Sequence, residues 1–395
     1  MDFAFTPEEE AFRQEIRDFL KQELPEGWVG PASNEELLER DDLFALGRKL
    51  APKLAQKGWL TMGWPKEYGG QERSHIAQTI FREEMCYNVV PGIDISGTAN
   101  VGPTILAYGT EEQKKQHLLP IARGEVVWCQ GFSEPEAGSD LASLRTRADD
   151  MGDHFLLNGQ KVWTTGGHRA DWMYVLARTD LDAPKHEGIS ILLLDLKTAG
   201  VEIRPLHNII GGHVFNEVFF DNVRVPKDNL VGRKNQGWAI TTSLLNLERS
   251  GVDRVANSRR ILDDLIAFTR ETLPAGLIPH HVDLIRQKLG GMAIECEVAR
   301  LLCYRVAWLQ QQGQLATMEA SAAKIFGSEL MQRVSSTGMQ ILGLYGQLDG
   351  VSPRSVMQGR VPHFYQSSRG RTISAGTNEI QRTLIATRGL GLPRG

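Results

Sequence analysis

Apolar residues near the N-terminus recur on one helical face. Phe12, Ile16, Phe19 and Leu20 follow Thr6-Pro7-Glu8-Glu9 at a 3.6-residue period. Thr6 can cap, Pro7 suits the first helical position and Glu9 completes a capping box, so this spacing predicts a helix from Pro7. A second helical pattern runs from Asn34 to Lys57, where Pro52 is expected to kink or break it. WPKEYGG (64–70) reads as a loop, and two further helices are expected near 74–88 and 111–122. Residues 1–125 are therefore expected to form an N-terminal helical domain.

Near Val126 the period changes to two. HFLLNG, KVWTT, WMYVLAR, ISILLLDL, VEIRPL and EVFFDNVRV are short alternating or β-branched runs. Asn158-Gly159 lies between two of them and signals a hairpin. Residues 126–234 are expected as a central antiparallel β-domain, a sandwich or partial barrel. From about Gln236 the helical period returns. Val282, Ile285, Leu289, Met292, Cys296, Ala299, Cys303 and Val306 alternate spacings of three and four, the seam of a helix packed in a bundle. Another helix is expected over 317–338 and a last one after Thr377. The fold class is α+β and multidomain, with residues 235–395 as a C-terminal four-helix-bundle domain. No internal repeat or low-complexity segment stands out.

Composition narrows the function classes. The 395 residues are 41% hydrophobic and carry a net charge of −4 with both signs interspersed, which gives no electrostatic footprint for nucleic acid. No apolar run reaches the roughly 20 residues that cross a bilayer, and MDFAFTPEEE has no signal-peptide pattern, so a cytoplasmic protein is expected. The four cysteines form no CxxC pair, and Cys296 and Cys303 sit on an apolar stripe, which reads as reduced core thiols. There is no HExxH, and the neighbours His280-His281 would point apart on a helix, so no metal site is expected. With no P-loop and no GxGxxG after a strand, a nicotinamide site has no support.

Three segments carry candidate chemistry. FSEPEAGSD (132–140) follows the apolar run VVWCQGF; its glycine and serines allow close backbone approach to a flat or phosphorylated ligand, or it is a plain connecting loop. In KVWTTGG (161–167), Trp163 is either β-domain core or a wall behind a planar heterocycle, with threonine hydroxyls for the ring edge. In TISAGTNEIQR (372–382), Ala375-Gly376-Thr377 is a small-residue turn opening into a helix near Asn378.

EPEAGSD, then WTT in a β-domain, then a helical domain ending in GTNEIQR: in this order the motifs resemble the acyl-CoA dehydrogenase family of flavoproteins, over essentially the whole chain. The resemblance implies FAD between the β-domain and the C-terminal helices, contacted by Phe132, Ser133, Gly138, Ser139, Trp163, Thr164, Thr165, Thr377 and Glu379. Ser139 also matches a serine near the substrate thioester, and Thr165 lies near the reactive flavin edge. QILGLYG (340–346) looks like the family's QIFGGNG turn, which makes Gln340 and Gly343 cofactor contacts toward a neighbouring subunit; Leu344 and Tyr345 depart from it. In FTRETLPAGLIPHHVD (268–283) Arg270 keeps the family's arginine, but the Phe-Gly step is gone and Asp283 falls where a Gln is usual.

The implied reaction is α,β-dehydrogenation of an acyl-CoA thioester, with electrons passed to an electron-transfer flavoprotein. A base takes the α-proton while the β-hydrogen leaves as hydride to the flavin. Most members place a catalytic carboxylate where this chain has Ala375. The backbone N–H there still serves the thioester oxygen, so Ala375 and Gly376 count as substrate contacts. In LLNLERSGVDR (244–254), Glu248 matches the base of a subset of members, the isovaleryl-CoA dehydrogenase type, which also carry Ala or Gly at the C-terminal position. Arg249 matches a position near the acyl-CoA. Against this, Glu248 could pair with Arg249 or Arg254 on a solvated face. Asp94, in PGIDISGTANVGP, is the other acid near the acyl pocket and reads first as a helix cap; Glu134 reads as structural.

A base at 248 leaves room beside residue 375 for a branched, cyclic or bulky acyl group. Two alternatives stay open: another acyl-CoA flavoenzyme reaction on the same scaffold, such as elimination, desulfination or an oxidase, and a subunit of a heterotetramer with little activity alone. The family default is a homotetramer.

Overall fold

The structure is a computed structural model and describes residues 4–245, 251–272, 282–348 and 350–393. In chain order come α1 (Pro7–Glu23), α2 (Glu36–Glu39), α3 (Asp41–Gln56), α4 (His75–Tyr87), α5 (Gly102–Tyr108) and α6 (Glu111–Ala122). The strands follow: β1 (Trp128–Gly131), β2 (Arg147–Asp150), β3 (His154–Lys161), β4 (Trp172–Arg178), β5 (Ile189–Asp195), β6 (Val201–Leu206), β7 (Phe215–Pro226) and β8 (Leu230–Val231). The remaining helices are α7 (Gly237–Leu245), α8 (Val252–Thr272), α9 (Val282–Gln311), α10 (Thr317–Leu342), α11 (Arg360–Arg371) and α12 (Asn378–Leu384). They cluster into two compact units, one of Met1–Asn34, Ser74–Val90 and Arg249–Gly395, the other of Glu35–Arg73 and Pro91–Glu248.

The second unit is built on one sheet in the order β6-β7-β3-β2-β4-β5-β8, with β1 beside β4. Its pairings are antiparallel except that β1 and β2 meet β4 in parallel, which departs from the all-antiparallel expectation. β4 and β5 read as nearly continuous apolar runs because both of their faces are buried. Met173, Val175, Ala177, Leu192 and Leu194 pack with Phe155, Leu157, Val218 and Val223 on one side. Tyr174, Leu176, Ile191 and Leu193 pack with Ile105, Leu118 and Ile121 of α5 and α6 on the other.

Asn158-Gly159 is not a hairpin turn. Both lie inside β3, Asn158 opposite Arg147 and Gly159 opposite Phe220, with a register shift between Leu157 and Gly159. Gly159 has φ +145°, and a Cβ there would stand 2.7 Å from the Thr146 Cα. The glycine answers a bulge and a close backbone approach, not a turn. The KVWTT run also stops being strand at Lys161.

In the first unit, α1 begins as expected: Thr6 Oγ1 accepts from the Glu9 N–H at 3.2 Å and the Thr6 N–H donates to Glu9 Oε2 at 2.9 Å. α9 buries Ile285, Leu289, Cys296, Ala299, Cys303 and Val306, so the predicted seam is largely core. α10 packs on α8, α9, α11 and α12. In the other unit Pro52 breaks nothing: α3 runs through it, buried through Leu50, Ala51 and Leu54, and the break falls at the extended Arg40. Packing of that face outweighs the lost backbone bond. His280-His281 lie outside the described residues. No helix among the described residues is long and apolar enough to cross a membrane, and no metal-ligand cluster occurs among them.

Candidate functional site

In the sheet-bearing unit, the two motif segments are clamped together. Alternation along β3 turns Phe155, Leu157 and Lys161 inward, and Lys161 is fully buried. Its Nζ donates to Glu134 Oε1 at 2.7 Å and to the Phe132 carbonyl at 3.0 Å. Glu134 also accepts from the backbone N–H groups of Arg145 (2.6 Å) and Thr146 (2.9 Å). Burial pushes the Glu134 carboxyl up, but the Lys161 charge and these bonds outweigh it and hold it below the usual range. Glu134 is thus a strut. The Val162 N–H adds a bond to the Ser133 carbonyl at 2.9 Å, which fixes 132–134 against 161–163.

Trp163 follows in a left-handed conformation, φ +60°, with its indole 58% exposed and edge-on to Phe215. A bulky residue held at positive φ is strained and calls for a functional reason. Thr164 is fully buried, and among the described residues its hydroxyl has no hydrogen-bond partner. Its backbone is held on both sides by Asn216, whose amide donates to the Thr164 carbonyl at 2.9 Å while the His213 Nε2–H donates to Asn216 Oδ1 at 2.8 Å. Thr165, Gly138 and Ser139 are exposed, Ser133 is half-buried, and a Cβ at Gly138 would meet nothing within 4 Å. The Phe132 ring belongs to the core, 5.1 Å from Tyr174. An open aromatic face beside an orphaned buried hydroxyl fits a planar ligand with polar edges, as FAD is.

Asp94 stands before one turn of π-helix, Ser96–Val101. Its carboxyl accepts from the backbone N–H groups of Trp128 (2.8 Å), Ser96 and Gly97. Burial raises it to about 7 in spite of these bonds. The cap role expected from the sequence is the geometry found.

In the helical unit, Ala375 and Gly376 are both left-handed, φ +56° and +80°, and Ala375 is exposed. Thr377 caps α12, its Oγ1 accepting from the Ile380 N–H at 3.2 Å, and Glu379 lies exposed in the first turn. Arg270 is exposed on α8; Gln340 is exposed and its Oε1 accepts from Lys288 Nζ at 2.7 Å. Gly343 has φ +57°, with Leu344 and Tyr345 exposed after it. Glu248 and Arg249 lie outside the described residues, just past the end of α7 at Leu245.

Family models for the acyl-CoA dehydrogenase N-terminal, middle and C-terminal domains match residues 6–125, 129–223 and 235–390 in turn. The chain belongs to the acyl-CoA dehydrogenase family. It is similar to acyl-CoA dehydrogenase FadE29 of Mycobacterium tuberculosis (strain ATCC 25618 / H37Rv), 36% identical over 98% of each chain. Among solved structures it is similar to the Tcur3481-Tcur3483 steroid ACAD (34% identity, all of both chains, TM-score 0.90). It is also similar to the ChsE4-ChsE5 complex from Mycobacterium tuberculosis (34%, all of both chains, 0.87). The chain is an enzyme of FAD-dependent acyl-CoA dehydrogenation, the reaction of its family.

Sequence reasoning passed over the residues that hold these segments in place: Lys161, Asn216, Lys324 and Gln381. For Lys161 a signal existed, because period-two alternation in HFLLNGQK turns that lysine inward. The other three left no local signal.

Proposed function

We propose that the chain dehydrogenates a bulky acyl-CoA thioester, with Glu248 as the base and FAD held by segments 132–140 and 161–167. The observation that carries the reading is the turn at 375. The position matching most members' catalytic carboxylate is an alanine on an exposed left-handed turn, so the acid must come from elsewhere. Asp94 is already bonded to three backbone donors, which favours Glu248.

Bound FAD supplies the two-electron acceptor. Trp163 offers its indole face to the flat ring system, and the Thr164 and Thr165 hydroxyls offer hydrogen bonds to the polar edge. Ser133 and Ser139 border the same ligand. The Ala375 N–H donates to the thioester oxygen and stabilises negative charge there as the α-proton leaves. Arg249 matches a family position near the acyl-CoA. An alanine at 375 removes side-chain bulk next to the acyl group. The steroid ACAD among the relatives favours a fused-ring or similarly large acyl chain. An electron-transfer flavoprotein reoxidises the cofactor.

The test is anaerobic bleaching of flavin absorbance by straight, branched, cyclic and steroid-type acyl-CoA thioesters, with wild type and Glu248→Gln. Bulky thioesters should bleach the wild type, and the variant should bind them but bleach at least about 10³-fold more slowly, as loss of a catalytic base does. Equal bleaching by both proteins removes Glu248 from the role. Clear preference for straight medium chains refutes the bulky-substrate reading. FAD-loaded wild type that no thioester bleaches points to a redox-neutral reaction such as elimination, whereas bleached enzyme that oxygen rapidly recolours points to an oxidase.

A second reading is that the chain works beside a related subunit. It draws on the ChsE4-ChsE5 complex among the relatives and on the exposed Leu344 and Tyr345, where the family turn has glycine and asparagine. Native mass and flavin stoichiometry of the purified chain decide it. A homotetramer with full FAD rules it out.

A further inference from the structure

We propose that Lys324 is a positioning residue for the dehydrogenation, tying down both ends of the turn that presents the Ala375 N–H. The inference rests on the reading of that N–H as the donor to the thioester oxygen.

Lys324 lies within α10 on a face otherwise built of small buried residues, Ala320, Ser321, Ala323, Gly327 and Ser328, and is itself 3% exposed. Its Nζ donates to the Thr372 carbonyl at 3.2 Å and to Asn378 Oδ1 at 2.8 Å. The Thr372 carbonyl also accepts from the Asn378 N–H at 2.9 Å. One ammonium therefore grips the residues on either side of 373–377. Asn378 is held further by Ser328 Oγ at 3.1 Å and passes the contact to Glu329, which Arg382 binds at 2.6 Å.

Between these pinned ends the backbone turns left-handed at Ala375 and Gly376. Gln381, fully buried, donates from Nε2 to the Gly376 carbonyl at 3.3 Å and fixes the far side. The peptide carrying the Ala375 N–H thus has little freedom. A donor held in place before the reaction stabilises developing oxyanion charge without reorganising when it appears. Stability alone does not account for the lysine. Burying an ammonium in a bundle carries a desolvation cost that an apolar side chain among these small residues would avoid.

The test compares wild type, Lys324→Met and Lys324→Arg as FAD-loaded enzymes, with melting temperature and flavin content as controls. The main readout is the pH at which a bound, non-oxidisable 3-thiaacyl-CoA loses its α-proton, followed by its long-wavelength absorbance with the flavin. The Met variant should keep its flavin and bind the un-ionised analogue within about threefold of wild type, yet ionise it about one pH unit or more higher. Its single-turnover bleaching by substrate should be about 10- to 100-fold slower. The Arg variant should recover most of both. If the Met variant does not fold, Lys324→Gln takes its place with the same expectation. An unshifted ionisation and unchanged bleaching in a folded variant overturn the inference and leave Lys324 as a structural cation. Wild type that binds the analogue but never ionises it removes the reading of residue 375 and the inference with it.

Discussion

Replacing Lys161 by methionine tests whether the buried pair with Glu134 holds the ligand-facing segments. The substitution keeps the volume and removes one ammonium with bonds of 2.7 and 3.0 Å. Glu134, 8% exposed, keeps its two backbone donors but loses its cation. Removing one partner of a buried ion pair costs about 3–5 kcal/mol, and the surviving backbone bonds place this case near the lower figure. A tenfold change in opening corresponds to about 1.4 kcal/mol, so local opening should rise by roughly two decades. The loss should be local, because the bonds join 132–134 and 145–146 to 161–162. The assay is amide hydrogen exchange at Glu134, Arg145, Thr146 and Val162, which reports local opening in a chain of two units where one global transition is not assured. Those amides should lose protection while α9 and α10 exchange as before, and FAD content should fall. The double variant Lys161→Met/Glu134→Gln should lose less than the sum of the single variants, since it removes both charges together. A folded Lys161→Met protein with wild-type protection at these amides refutes the reasoning.

Other expectations follow from single contacts. Gly376→Ala places a Cβ 2.6 Å from Gln381 Nε2 on a residue at φ +80°; it should strain the turn by about 1–3 kcal/mol and slow flavin bleaching while flavin content holds. His117 is buried between Trp128 and Trp172, and burial lowers its pKa from 6.5 to about 4. The folded state prefers neutral imidazole, so this contribution is full above pH 6.5 and is lost as pH falls through 4, up to about 3 kcal/mol. Melting temperatures between pH 7 and 4 should drop less steeply in His117→Phe than in wild type.

How much of this was legible depended on how far apart in the chain the partners lie. The capping box at Thr6 and Glu9, the α9 seam and the strand runs are local patterns, so the sequence displayed them. FSEPEAGSD and KVWTTGG stood out as short contiguous segments, and both are proposed to face one ligand. Asn158-Gly159 misled for a related reason. The dipeptide is a hairpin signal when it joins two strands, but here the bulge needs a glycine where Thr146 of another segment approaches, and that neighbour is invisible locally. The left-handed Trp163 was equally hidden, because no residue preference announces a bulky side chain at positive φ.

The contacts that hold the site lie further apart still. Lys161 meets Glu134 across 27 residues, Asn216 meets Thr164 across 52, and Lys324 meets Asn378 across 54. In each case a buried polar side chain from a regular element grips the backbone or the polar side chain of a segment proposed to face ligand. Motif residues and holding residues should therefore fail differently. Loss of the Trp163 indole removes a surface proposed to face the ligand and should weaken flavin binding with little change in local protection. Loss of Lys161 or Asn216 leaves every ligand-facing group present and loosens the backbone that carries them, so protection falls together with flavin. If Trp163→Ala and Asn216→Ala gave the same exchange pattern, the division between contacting and holding residues would be wrong for this domain.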